Sequence, residues 1–171
     1  MLKTLSLSLL LILFSTKSFA FEGSWFAVGG SYDNLAIGPT ENGYGLTMEG
    51  GYWYLGNVAY GGYFKSSNFG EIASRPGSGL KMYDLGVFWK AATEAGLYGK
   101  LLAGLTFINA TGNTAGLRAD DGTSFSIGLG GGFLFPLSDS FHIGPEVIYR
   151  HLTAGNGADQ ISVGGLVAYS F

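Results

Sequence analysis

The sequence predicts an all-β fold: an eight-stranded antiparallel up-and-down barrel that crosses a membrane. Three observations lead there. The chain beyond residue 20 alternates at period two through to Phe171, so each strand has one bulky apolar side and one small or polar side. Its connections alternate between tight and long, as in a meander whose two rims differ. Its aromatic residues gather near both ends of the strands on the apolar side, where two membrane–water interfaces would lie.

The strands follow in order. The first, about 24–34, puts Phe26, Val28, Gly30 and Tyr32 on its apolar side. The second, about 44–54, puts Tyr44, Leu46, Met48, Gly50, Tyr52 and Tyr54 there, and the third, about 58–66, has Val58, Tyr60, Gly62 and Phe64. The fourth, about 80–90, carries Tyr83, Leu85, Val87 and Trp89; the fifth, about 96–108, carries Leu97, Leu101, Ala103, Leu105 and Phe107. The sixth, about 123–135, has Phe125, Ile127, Leu129, Phe133 and Phe135, and the seventh, about 141–152, has Phe141, Ile143, Val147 and Tyr149. The last, about 160–171, ends with Ile161, Val163, Val167, Tyr169 and Phe171 on the greasy side. Segments 55–57, 91–95 and 136–140 are the tight turns; 35–43, 67–79, 109–122 and 153–159 are longer and rich in Gly, Asn, Asp and Ser. Both termini fall on the tight-turn side, which in an outer-membrane barrel is the periplasm.

The apolar side must face outward. A soluble barrel would bury it and show the other side to water. Here the other side is mostly Gly, Ser, Ala and Thr, too small to form the exterior of a soluble protein. Tyr52, Tyr54, Tyr60, Trp89, Phe135, Phe141, Tyr169 and Phe171 form one expected aromatic belt. Tyr32, Tyr44, Phe64, Tyr83, Phe107, Phe125 and Tyr149 form the other.

The ends and the composition bound the rest. Lys3, the apolar run 5–14 and the small-x-small sequence Ser18-Phe19-Ala20 read as a signal peptide over residues 1–20, removed on export, with 21–171 as one barrel domain. The run is too short for a spanning helix, and no stretch of about 18 apolar residues follows it. The absence of cysteine suits export through an oxidising periplasm. Without Lys3 and Lys17, seven basic residues stand against twelve acidic ones, a net charge of −5, which excludes the clustered basic surface of a nucleic-acid binder. Thirty glycines without a three-residue period exclude collagen, and 15% aromatic residues argue against disorder.

The inward side carries charges at mid-strand: Glu49, Asp84 and Glu146 against Lys65, Lys100 and Arg150, with His142 nearer the periplasmic end. Charges inside a narrow lumen must pair, because an unpaired buried charge is costly. A balanced set therefore reads as ion pairs that plug a barrel already about filled by side chains. No cofactor or metal site is expected. Asp120 and Asp121 read as a solvated loop tip. The run 128–132 is glycine-rich but lacks the Lys-Ser/Thr of a phosphate loop.

The signal peptide, the eight alternating strands and terminal Phe171 resemble the small outer-membrane barrels of the OmpX and OmpA-barrel type, and the segment 128–139 followed by Glu146 and Tyr149 is similar to that group's penultimate hairpin. The resemblance implies a monomer in the bacterial outer membrane, among lipid and lipopolysaccharide. It also implies a C-terminal strand that the barrel-assembly machinery reads through Phe171. A second, local resemblance concerns Arg150-His151-Leu152-Thr153, which is similar to the segment bearing the catalytic His and Ser of the lipid A 3-O-deacylases. It implies His151 as base, Thr153 in place of the Ser nucleophile, and Asp159 as orienting acid, with Gln160 at the alternative acid position. The expected role is a non-enzymatic structural or surface-interaction barrel with a closed lumen. The alternatives are a deacylase-like hydrolase and a narrow channel for small solutes.

Overall fold

The computed structural model describes residues 23–37, 40–54, 57–71, 77–112, 122–153 and 157–171. The expected signal peptide and the acids Asp120 and Asp121 lie outside these residues. The strands are β1 (Gly23–Ala36), β2 (Thr40–Tyr54), β3 (Val58–Glu71), β4 (Gly79–Ala92), β5 (Leu97–Thr111), β6 (Gly122–Phe133), β7 (Phe135–Pro136), β8 (Phe141–Leu152) and β9 (Ala158–Ser170). Each pairs antiparallel with its sequence neighbour, except that the two-residue β7 continues the line of β6 along β8. β1 pairs with β9 from Trp25↔Ser170 to Ala36↔Asp159, and β6 pairs with β8, so the sheet closes on itself. The fold is the expected eight-stranded antiparallel barrel. Phe171 extends the seam by donating its backbone N–H to the Ser24 carbonyl at 2.9 Å.

Between the two aromatic belts the apolar side of the strands faces out. Val87 is 63% exposed and Leu129 58%, whereas the alternating residues Phe88 and Lys90 are buried. The aromatic belts are also outside. At the turn end Phe141 packs on Tyr169 at 4.7 Å between centroids and Tyr169 on Phe171 at 5.0 Å. At the loop end Tyr32 meets Tyr44 edge-on at 5.8 Å, and Phe64 stacks on Tyr83 at 6.5 Å.

Several strands run further toward the loops than expected. β3 reaches Glu71 where alternation suggests 66, and β5 reaches Thr111 where it suggests 108. The reason is an inversion of polarity along the same strands. Beyond the loop-end aromatics, Asn34, Asn42, Asn68, Lys81 and Asn109 point outward, while Leu35, Ile37, Phe69, Leu80, Met82, Ile108, Leu152 and Ala158 form an apolar cluster inside. Period two continues, but the greasy side changes face.

The sixth strand is interrupted where an unbroken one is expected. Gly132↔Glu146 and Phe135↔Ile143 are in register, so Phe133 and Leu134 between them lie opposite Pro145 and Gly144. Pro145 has no N–H to give the ladder. Leu134 instead donates its N–H to the Gly96 carbonyl at 2.9 Å and turns its side chain inward. The Phe133 carbonyl comes so close to Gly144 that any Cβ there would collide with it.

An outward wall of this kind sets a clear expectation. Val87→Arg, placed between Tyr83 and Trp89 on β4, should destabilise the barrel in a phospholipid bilayer by about 2–4 kcal/mol. Urea titration followed by tryptophan fluorescence measures it, and an unaffected midpoint would mean that this wall does not face hydrocarbon.

Candidate functional site

The barrel interior is organised in layers. Nearest the turns, Trp25, Trp53, Ala59, Phe88, Tyr98, Leu134 and Ala168 belong to one apolar cluster. Above the rings lies a chain of charges. Glu49 Oε1 accepts from Lys90 Nζ at 2.7 Å, and its other oxygen accepts from Lys100. Lys100 also reaches Glu146 Oε2 at 3.1 Å, to which Tyr98 donates its hydroxyl at 2.9 Å. Lys90 Nζ sits 4.2 Å from the Trp25 ring centroid and 4.7 Å from that of Tyr98, so its charge is held by a carboxylate and aromatic faces together.

Nearer the loops are two further groups. Lys65 Nζ donates to Asp33 Oδ1 at 2.8 Å and to Ser162 Oγ at 2.6 Å; Ser67 donates to Asp33 Oδ2 at 2.6 Å. Arg150 Nη1 lies 2.5 Å from Asp84 Oδ2, Thr106 donates to the other Asp84 oxygen, and the guanidinium stands 5.4 Å from the Tyr63 ring centroid. The loop-end apolar cluster lies beyond them. A void of about 20 Å³ remains in the interior between Glu49, Lys65 and Glu146, room for about one water.

Of the inward residues expected from the sequence, Glu49, Lys100 and Glu146 meet in one network, Asp84 meets Arg150, and Lys65 lies in a third group. Two members were missed. Asp33 is the carboxylate of Lys65, and Lys90 is the second cation on Glu49. Both lie on the inward parity of strands already drawn, so the alternation itself was the available signal. Their positions at the expected strand ends concealed them. His142 is buried at the turn end, where it hydrogen-bonds with the Ser140 backbone.

On the outer wall near the loop end, His151 and Asp159 are cross-strand partners on β8 and β9, and His151 Nδ1 lies 2.8 Å from Asp159 Oδ1. Tyr149 donates its hydroxyl to the same oxygen at 2.7 Å. Thr153 takes a different direction. Its hydroxyl donates to the Phe125 carbonyl at 3.0 Å, the oxygen that also accepts the Thr153 N–H at 2.9 Å. The proton a nucleophile would give to His151 is therefore held by the neighbouring strand. Gln160, the alternative acid position, is fully buried inside the barrel. Beside His151, an apolar groove of about 360 Å³ runs along the wall between Leu101, Ile127, Leu129 and Tyr149.

No protein-family pattern matches the chain, and no curated protein matches it in sequence. Solved structures do match. Neisserial surface protein A (NspA) aligns over 87% of this chain and 97% of its own, with a TM-score of 0.67 and 13% identity. The fold is that of the small outer-membrane barrels. Ail, the attachment invasion locus protein of Yersinia pestis, aligns over 87% of this chain and 99% of its own at 14% identity, with a TM-score of 0.58. The outer membrane enzyme PagL aligns over 84% of this chain and 99% of its own at 14% identity, with a TM-score of 0.52.

The buried pairs predict a specific pattern of stability. Asp84→Leu or Arg150→Met alone leaves one buried charge uncompensated and should cost about 3–5 kcal/mol. The double variant should cost clearly less than the sum of the two. Equilibrium unfolding of the two single variants and the double variant in detergent micelles gives the coupling; strict additivity would mean that the two groups do not act as a pair.

Proposed function

We propose that this protein resides in a bacterial outer membrane, reached through a cleaved signal peptide, and acts there as a non-enzymatic barrel with a closed lumen. Its role is structural or surface-interacting, exercised through the wall and the loop-end rim. One observation carries this reading: the mid-barrel charges are paired in groups between two apolar layers, and the void beside Glu49, Lys65 and Glu146 has room for about one water. An ion entering would have to separate pairs that burial makes costly to break. Eight strands enclose little more than their own side chains, which supports the same conclusion. The outward Phe171 at the end of the β1–β9 seam suits recognition of the C-terminal strand by the barrel-assembly machinery.

Purified protein reconstituted in planar bilayers should give no conductance steps above the bare-membrane baseline. Reproducible single-channel steps from the wild type would establish the channel reading in its place.

The His151–Asp159 pair beside an apolar groove supports a second reading, a hydrolase acting on lipid A acyl chains. Against it stands the Thr153 hydroxyl, which would have to leave the Phe125 carbonyl before His151 could take its proton. Mass spectrometry of lipid A from cells with and without the protein should show the same acyl pattern. Loss of one acyl chain that disappears with His151→Ala would make the protein an enzyme.

A further inference from the structure

The outer face of β2 to β5 near the loops carries a row of residues that neither the closed lumen nor the His151 corner uses. Tyr44 pairs with Asn68, Asn68 with Lys81, and Lys81 with Asn109, so four side chains stand abreast on four consecutive strands. All four are exposed, Tyr44 by 74%. Lys81 is the only exposed lysine or arginine among the described residues; Lys65, Lys90, Lys100 and Arg150 are all buried in the lumen. Among the described residues no carboxylate lies within ion-pair reach of Lys81. Glu71, on the same face, accepts from the Gly77 N–H at 2.6 Å instead.

Asn68, the cross-strand partner of Lys81, adds donors beside it. Asn68 Oδ1 accepts the Gly70 N–H at 3.0 Å, which leaves the two amide protons of Asn68 to point away from the strand. A depression of about 330 Å³ lies between Asn68, Lys81, Asn109 and Thr111, floored where Gly70 and Gly79 have no side chains. A second, of about 200 Å³, lies between Asn42, Tyr44 and Asn68. The two share Asn68 and Gly70, so they are neighbouring compartments of one surface. One offers a cation and amide donors; the other offers an aromatic face and amides.

Height along the wall identifies the occupant. Tyr83 lies one outward position below Lys81 on β4, and Phe107 one below Asn109 on β5. Lys81 therefore sits directly on the aqueous side of the interfacial aromatics, where lipid headgroups lie. A cation flanked by two side-chain amides across one depression matches a phosphate oxygen. An exposed ring flanked by amides matches a sugar.

We propose that this face binds the phosphorylated sugar headgroup of an outer-leaflet glycolipid, with the phosphate on Lys81, Asn68 and Asn109 and the sugar against Tyr44 and Asn42. The proposal rests on the outer-membrane reading above. Its test separates the two, because folding and insertion of each variant are scored independently of ligand binding.

The measurement is titration of the purified barrel in neutral detergent with lipid A, with enzymatically dephosphorylated lipid A, and with phosphatidylglycerol, followed by native mass spectrometry. The wild type should bind lipid A about tenfold more tightly than the dephosphorylated form. Lys81→Met should abolish that difference, Lys81→Arg should keep it, and Asn68→Leu with Asn109→Leu should weaken lipid A binding several-fold. All variants should fold and insert, since the substitutions touch only the outer face. Equal binding by Lys81→Met and wild type would overturn the proposal, as would indifference to dephosphorylation. Phosphatidylglycerol binding as tightly as lipid A with the same dependence on Lys81 would also overturn it, reducing the site to a general anionic-lipid contact. A wild-type barrel that fails to insert into bilayers would refute the membrane reading instead.

Discussion

Closure of the β1–β9 seam is the constraint from which the rest of the molecule follows. In hydrocarbon no water can satisfy a free backbone N–H or C=O, so a sheet with open edges cannot persist there. Joining the first and last strands over twelve paired positions removes both edges. It also fixes the circumference. Eight strands leave a bore that side chains nearly fill, and some large inward residues lie against glycines. Tyr63 lies over Gly86 and Gly104, where a Cβ would come within 2.8 Å of its ring and hydroxyl, and Tyr98 lies over Gly132 with similar closeness. Part of the glycine content is thus a matter of interior volume.

The same narrowness governs the charges. A lysine or glutamate enclosed this tightly loses its hydration, and only a partner of opposite sign at hydrogen-bond distance makes that tolerable. The interior meets the requirement in three separate groups, each spanning strands far apart in sequence, such as Glu49 on β2 with Lys100 on β5. These contacts fix which strands can face one another across the bore, because a one-residue slip in any register would turn a charge into lipid.

Much of this was legible in the alternation alone: the number of strands, the outward side, both aromatic belts and six of the inward charges. What escaped it has physical causes. The strand extensions were hidden because apolar residues switch from the outside to the inside near Asn68 and Lys81, so a reading keyed to one greasy side stops there. The interruption at Leu134 depends on Pro145, which acts across the ladder and leaves no mark within the sixth strand itself. Asp33 and Lys90 sat on the right parity but at the ends of the expected strands. At the His151 corner, the resemblance named Asp159 as the acid, and Asp159 lies beside the imidazole. The resemblance could not reveal that the Thr153 hydroxyl is given to Phe125, because that contact comes from the neighbouring strand.

The exchange of inside and outside near Lys81 acts like a waterline on a hull. Below it the barrel is wetted by hydrocarbon; above it a collar with its own greasy centre and amide-studded exterior stands in water. Sinking by even one outward position, about 7 Å along a strand, would drag asparagines and a lysine into oil, and rising by the same amount would lift rings into solvent. The protein's depth is therefore set by its own surface. In a membrane of different thickness, it is the surrounding lipid that must stretch or thin to meet it.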